Sequence, residues 1–244
     1  MRAILPPDQE QGLVREFFGS RGDGFFVEVG ANDPQVESQS FHLEREGWTG
    51  ILIEPQPDLA ERLRRERKAK VFSVACSSPD RSGTMMHLHV AGAFSSFTPK
   101  LMVTGVQAER GIDVPVRTLD EVLAEARAPH PIDLLSIDVE GHELDVLRGF
   151  DFSRWNPRLI LLEDHVTSTD KHAFLRARGY SLMRRTGLNG WYVPRENAPA
   201  LSLRGRYEIL RKYYLALPFR KLRDLKRRLR DRIRFGFAGR SSGR

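Results

Sequence analysis

Short apolar runs alternate along this chain with longer segments in which apolar residues recur every three or four positions. The runs are GFFVEVG (24–30), GILIEP (50–55), KVFSVAC (70–76), IDLLSID (132–138) and RLILLED (158–164). Each is continuous rather than alternating, the pattern of a strand covered on both faces. Helical spacing marks QVESQSFHLEREGW (35–48), PDLAERLRRERKA (57–69), TLDEVLAEARA (118–128), a short stretch from about Glu143, and STDKHAFLRARG (168–179). In the second of these Leu59 and Leu63 form one apolar edge; in the third Thr118 and Glu121 have the spacing of a capping box. TMMHLHV (84–90) and DVPVRT (113–118) predict short strands around the loop AGAFSSFTPK, and YSLMRRT (180–186) with GWYVPR (190–195) predicts a closing antiparallel pair.

Strand–helix alternation of this kind predicts an α/β fold, a mostly parallel sheet with helices on both faces and right-handed crossovers. Ligands of such sheets bind outside the carboxyl ends of the strands. The residues expected to converge are therefore Gly30 to Asp33, Glu54 and Pro55, Ala75, Cys76 and Ser77, Asp138 to His142, and Glu163 to His165.

The glycine turn GAND is neither G-x-G-x-x-G nor a phosphate-cradling GK[ST] loop, which argues against a dinucleotide or a nucleoside triphosphate. Glu54 closes the second strand, where a carboxylate can accept both hydroxyl protons of a ribose. A pocket that holds a ribose without a phosphate fits a nucleoside-like cofactor, and S-adenosylmethionine has that chemistry.

The stretches FVEVGAND, GWTGILIEP, PVRTLDEVL, IDLLSIDVEGHELDVLRGFDF and PRLILLEDH, in that order between about 24 and 166, resemble the FkbM-type S-adenosylmethionine-dependent methyltransferases. The resemblance implies a class I methyltransferase (Rossmann-like) fold with a seven-stranded sheet whose last strand is reversed. It also implies O-methylation of a sugar or secondary-metabolite hydroxyl, and the acceptor expected for this chain is a hydroxyl of a glycan, glycolipid or secondary metabolite. Two departures stand out: Pro34 follows GAND where the family often has glycine, and Ser136 occupies a position where many members carry Lys. Residues beyond about Pro199 lie outside it, so a domain of 1–200 and a tail of 201–244 are expected.

Within that fold, Gly30, Ala31 and Asn32 would face the methionine portion, with its ammonium held by Glu28 or Asp138. Glu54 and Pro55 would meet the ribose, and Ala75, Cys76 and Ser77 the adenine. The cluster Asp138, Glu140, His142, Glu163 and His165 then admits three readings. It positions cofactor and substrate, with Glu140 and the loop serines Ser95 and Ser96 near the acceptor. Or it supplies a general base, His142 or His165, whose ordinary pKa lies near neutrality. Or Asp138, Glu163 and a histidine hold a divalent metal, the least favoured of the three, because in-line transfer from a sulfonium depends chiefly on alignment.

Charge changes the picture only once it is located. The formal net charge is +7, but residues 204–244 hold 15 Lys and Arg against 3 Asp and Glu, leaving 24 against 29 in residues 1–203. An acidic body lacks the basic cleft of a nucleic-acid enzyme, so an RNA ribose 2′-O-methyltransferase is the runner-up. A non-catalytic protein of the same fold that recruits partners to membranes is a third reading. In the tail, Leu222, Leu225, Leu229 and Ile233 form an apolar stripe among arginines and lysines, flanked by Tyr213, Tyr214, Phe219, Phe235 and Phe237. That pattern over 204–237 predicts contact with an anionic membrane surface, ahead of a helix packed on the body or on a homodimer partner, and ahead of RNA.

Cys76 is the single cysteine, which excludes an intrachain disulfide and fits a reducing compartment. The first residues, MRAILPPDQEQ, carry no apolar core of a secretion signal, and no apolar run is long enough to span a bilayer. A cytoplasmic protein, peripheral at the inner face of the membrane, is the expectation.

Overall fold

The computed structural model describes residues 7–19, 21–91, 95–97, 110–199, 203–223 and 226. Ten strands and eight α-helices follow in the order α1 (Pro7–Phe18), β1 (Phe25–Val29), α2 (Phe41–Arg45), β2 (Thr49–Ile53), α3 (Pro57–Glu66), β3 (Lys70–Phe72), β4 (Ala75–Cys76), β5 (Met85–Val90), β6 (Arg110–Arg117), α4 (Leu119–Ala126), β7 (Leu134–Ile137), α5 (Glu143–Arg148), α6 (Phe152–Trp155), β8 (Leu159–Glu163), α7 (Asp170–Ala177), β9 (Tyr180–Thr186), β10 (Asn189–Pro194) and α8 (Leu203–Ile209). Seven strands make one sheet in the order β3-β2-β1-β7-β8-β10-β9, and β4, β6 and β5 make a second, smaller one. β1, β2, β3, β7 and β8 pair in parallel, whereas β10 runs antiparallel to both β8 and β9. The reversed last strand is thus inserted between β8 and β9.

Period-two alternation within the apolar runs builds two cores. Val27, Val29, Ile51, Ile53, Leu135, Ile137, Ile160 and Leu162 share one cluster with Val122 of α4, Val146 of α5 and Leu175 of α7. The intervening residues Phe26, Leu52, Leu134, Leu159 and Leu161 face the other way and join Val14 of α1, Leu43 of α2 and Leu63 of α3. A one-residue slip of any of these strands would exchange the two faces, so the register is fixed from both sides. Truncating a fully buried residue such as Leu52 to Ala costs about 2–5 kcal/mol. The predicted capping box forms: Glu121 N–H donates to Thr118 Oγ1 over 3.1 Å, and Thr118 N–H to Glu121 Oε2 over 2.9 Å.

Three expectations change. The helix read over 35–48 is confined to Phe41–Arg45. Asp33 Oδ1 accepts the N–H of Gln35 and Val36, and Glu28 Oε1 accepts that of Gln39, so side chains hold residues 33–40 in turns that compete with helix. The run 70–76 is not one strand; β3 joins the large sheet beside β2, and Ala75–Cys76 pairs instead with Val116–Arg117 of the small sheet. A helix not read from the sequence, α1, packs Val14 against the second core. After α8, a π-helical run (Leu210–Leu215) leads into a helical stretch over 217–223. Ile209, Tyr213 and Leu217 pack on the first core, which ties this segment to the body. Leu225, Leu229, Ile233, Phe235 and Phe237 lie outside the described residues.

Candidate active site

The carboxyl ends of the parallel strands meet at a cavity of about 440 Å³. Its floor is set by close backbone approach. Gly30 and Ala31 donate N–H to the Ile53 carbonyl at 2.9 and 3.1 Å, and Asp138 N–H donates to the Val29 carbonyl at 3.0 Å. Gly30 has φ +84°, and a Cβ there would stand 1.8 Å from the Asp138 carbonyl oxygen. Only glycine permits that turn.

One end of the cavity is apolar, with Ile53, Val74, Ala75, Cys76 and Leu88 around it and Pro55 at its edge. At its border sits Glu54, buried, its Oε2 accepting Asn32 N–H and its Oε1 accepting Gln56 N–H, each over 2.9 Å. Burial raises its pKa, against those hydrogen bonds. The Gln56 side chain also hydrogen-bonds this carboxylate. Cys76 is buried and its thiol is pushed up to about 12 by burial, so it is a packing residue and no nucleophile.

The middle of the cavity gathers Asp138, Glu140, Glu163 and His165. Two successive residues of positive φ, Glu140 (51°) and Gly141 (98°), turn the chain between β7 and α5. His165 Nε2 lies 3.2 Å from Glu163 Oε1. That contact raises the pKa of His165 despite burial. Burial alone would raise Glu163, but His165, a hydrogen bond with Asp138 and the Lys171 ammonium outweigh it and hold Glu163 down. Asp138 goes the other way: burial, then the charges of Glu163 and Glu140, push it well above the carboxylate range. While Asp138 is ionised, the buried Oε2 of Glu163 meets no donor among the described residues; a proton kept by Asp138 joins the two carboxyls. Glu140 is pushed up to about 7 by burial and by Glu163. With Glu163 held down, Asp138 and Glu140 both resist ionisation, and a cationic ligand would ease that.

Among the described residues, Glu140, Glu163 and His165 are the one group of three whose ligand atoms all lie close enough for a metal ion, within 4.8 Å of one another. This differs from the set Asp138, Glu163 and a histidine expected from the sequence.

His142 is not placed with the cluster. As the residue before α5 its Nε2 lies 2.9 Å from Ser77 Oγ and its Nδ1 3.4 Å from Asp145, so the helix start turns the ring away from the cavity. Burial lowers its pKa. Ser77 is correspondingly engaged with His142 rather than lining the cavity. Glu28 does line it, but Oε1 accepts Gln39 N–H, and Oε2 accepts the hydroxyls of Ser38 and Ser40. Ser95 lines the cavity and accepts Ala91 N–H over 2.9 Å; Ser96 donates to the Glu140 carbonyl over 3.0 Å and so steadies the turn. Gly30, Ala31, Asn32, Glu54, Pro55, Ala75, Cys76, Asp138, Glu140, Glu163 and His165 do come together around the one cavity.

Several wall residues had no sequence signal. Glu10 of α1 accepts the Thr186 hydroxyl, Asn189 Nδ2 (2.8 Å), Gln39 Nε2 (3.1 Å) and Trp191 Nε1 (3.2 Å), closing one side. The β9–β10 turn, Gly187 and Leu188, lies beside it. Below, Lys171 Nζ reaches Glu143 Oε2 (3.0 Å) and donates to the Glu163 carbonyl (2.8 Å). Glu143, the first residue of α5, is buried and also accepts Gly141 N–H over 2.7 Å.

The family model described as Methyltransferase FkbM domain matches residues 28–182, from the Glu28 strand end to the start of the closing hairpin. No curated protein matches the chain significantly.

Proposed function

The chain belongs to the FkbM methyltransferase family, and on that premise we propose that it transfers a methyl group from S-adenosylmethionine to a hydroxyl of a glycan, glycolipid or secondary metabolite. The observation that carries this reading is one cavity with Glu54 at its apolar end and Asp138, Glu140, Glu163 and His165 at its middle. The donor set suits the cofactor. Glu54 offers two acceptors to a ribose diol, the slot formed by Val74, Ala75, Cys76 and Leu88 suits a purine, and the crowded carboxylates suit a cation.

Bound S-adenosylmethionine would supply a methyl group made electrophilic by its sulfonium. The protein has to align an acceptor oxygen with that carbon and receive one proton. The acceptor's C–O bond forms as the C–S bond breaks, so the hydroxyl proton must leave to a base. Glu163 holds Nε2–H of His165, which leaves Nδ1 as the basic nitrogen. His165 is about half exposed, as a group serving an incoming acceptor must be. Alignment contributes more than proton removal in such a displacement.

The test is calorimetric titration of S-adenosylmethionine and S-adenosylhomocysteine into the protein and into Glu54→Ala, with Mg²⁺ or with EDTA. Micromolar binding by the parent, weakened roughly a hundredfold in the variant, is expected from the loss of two hydrogen bonds to a carboxylate. No binding to folded parent protein would overturn the reading. Binding that disappears with EDTA would move Glu140, Glu163 and His165 from proton handling to metal coordination.

A further inference from the structure

The segment from 203 to 222 carries seven of the eleven large hydrophobic side chains that stand exposed among the described residues, so the exposure is concentrated rather than scattered. It follows a helical logic. Tyr213, fully buried, and Arg220 face inward with Ile209 and Leu217. Tyr207, Leu210, Tyr214, Phe219 and Leu222 face outward, Phe219 at 75% exposure and Leu222 at 51%. The segment is therefore apolar on two sides, and the body covers only one of them. Around the outer side stand the exposed cations Arg206, Lys221, Arg223 and Lys226. Residues 204–244 as a whole hold 15 basic residues against 3 acidic.

We propose that this outer face is a docking surface for an anionic lipid bilayer. Tyr, Phe and Leu side chains flanked by Lys and Arg match the two layers they would meet, acyl chains and glycerol below, anionic headgroups above. A partner protein of ordinary composition would need an acidic patch around a matching groove; the bilayer offers both at once over any length.

The face is also wired to the cavity. Arg185 Nη1 donates to the Tyr213 hydroxyl over 3.0 Å, and its Nη2 donates to the Leu188 carbonyl over 2.9 Å and to the Asp164 carbonyl. Leu188 lines the cavity and is itself partly exposed, and Asp164 precedes His165. Docking would thus fix the cavity wall relative to the headgroup layer. On the methyltransferase reading, on which this last step rests, that favours an acceptor hydroxyl carried by an amphiphile.

Removal of the whole tail would also strip Tyr213 from the core, so outward substitutions make the cleaner test. The full chain and the triple variant Leu210→Glu/Tyr214→Glu/Phe219→Glu are floated with vesicles of phosphatidylcholine alone or with about a third phosphatidylglycerol. The expected result is binding to the anionic vesicles, weakened by salt, and a drop of roughly tenfold or more in the triple variant. Melting temperature and calorimetric S-adenosylhomocysteine binding should stay at the parent values, which separates failure of docking from failure of the catalytic reading. No vesicle binding by the parent overturns the proposal, as does binding that survives the triple substitution. A parent dimer in light scattering that the same substitutions dissociate, without vesicle binding, would assign the face to a second copy. Salt-sensitive capture of RNA in place of vesicles would assign it to nucleic acid.

Discussion

Glu163 Oε1 lies 3.2 Å from His165 Nε2, and Glu163 is also where the raised Asp138 places its proton. One carboxylate therefore sets the protonation of two neighbours. His165→Gln should lower kcat by roughly a hundredfold with little change in cofactor affinity, since a positioned base contributes on that scale. Glu163→Gln carries the sharper readout. Glu163 raises the pKa of His165; with His165 as the proposed base, which must be unprotonated, activity should rise as pH passes that pKa. Without Glu163 the rise should begin at lower pH, measured as a shifted acid limb of the kcat–pH profile. An unshifted limb would mean that His165 is not the group being read.

Glu140 is pushed up to about 7 because burial and Glu163 oppose its charge. A cationic ligand reverses that balance and favours the ionised form. Cofactor affinity should then rise with pH across about 6 to 8, with proton release on binding at the lower end. Glu140→Gln should match the parent at pH 6 and bind about tenfold more weakly at pH 8, the effect of one pKa unit. Calorimetry in buffers of different ionisation enthalpy checks both. The stability sign is opposite: a carboxyl raised in the folded state contributes stability that is lost as pH climbs from its unfolded value of about 4.5 through about 7.

Arg67 is fully buried, with Nε 2.6 Å from Glu44 Oε2, Nη1 2.9 Å from the Pro34 carbonyl and Nη2 2.9 Å from Ser40 Oγ. Its guanidinium lies 5.9 Å from the Phe26 ring centroid and 5.3 Å from that of Phe41. Arg67→Met leaves the Glu44 carboxylate buried without its partner and should cost about 3–5 kcal/mol in chemical denaturation. Adding Glu44→Leu should recover part of the loss. Full additivity of the two would show that they are not coupled.

Gly30→Ala tests the turn under the cavity. The added methyl meets the Asp138 carbonyl at 1.8 Å and the backbone is held at φ +84°. Destabilisation of at least about 2 kcal/mol is expected from strain and clash together. A melting temperature within a degree of the parent would contradict the described approach of β1 and β7.

The strand ends were legible because a buried parallel strand must stop in a polar residue, and five such stops point to one rim. Gly30, Glu54, Asp138 and Glu163 followed directly. His142 did not, although it sits in the same motif: a residue that begins a helix takes its direction from the helix, and that direction leads to Ser77. The metal-competent trio contains Glu140 instead of Asp138 for a related reason, since Asp138 is buried against Glu163 as a proton partner. Glu10 was beyond reach. Its partners Thr186 and Asn189 lie 176 and 179 residues away, and no local pattern encodes so distant a meeting. The inward stripe of the tail was hidden by its charge; only burial of Tyr213 and Arg220 separates the face that packs from the face that does not.

The reversed strand β10 has a consequence for how this enzyme could diversify. Because it runs against its neighbours, the two-residue turn that joins it to β9 opens onto the same rim as the carboxyl ends of β1, β2, β7 and β8, while β10 stays inside the sheet and β9 forms its edge. Gly187 and Leu188 can therefore be varied at a part of the cavity remote from Glu54, provided that the Leu188 carbonyl keeps its bonds to Arg185 and to Asp164 N–H. A library confined to that hairpin is the economical starting point for redirecting the protein to new acceptors.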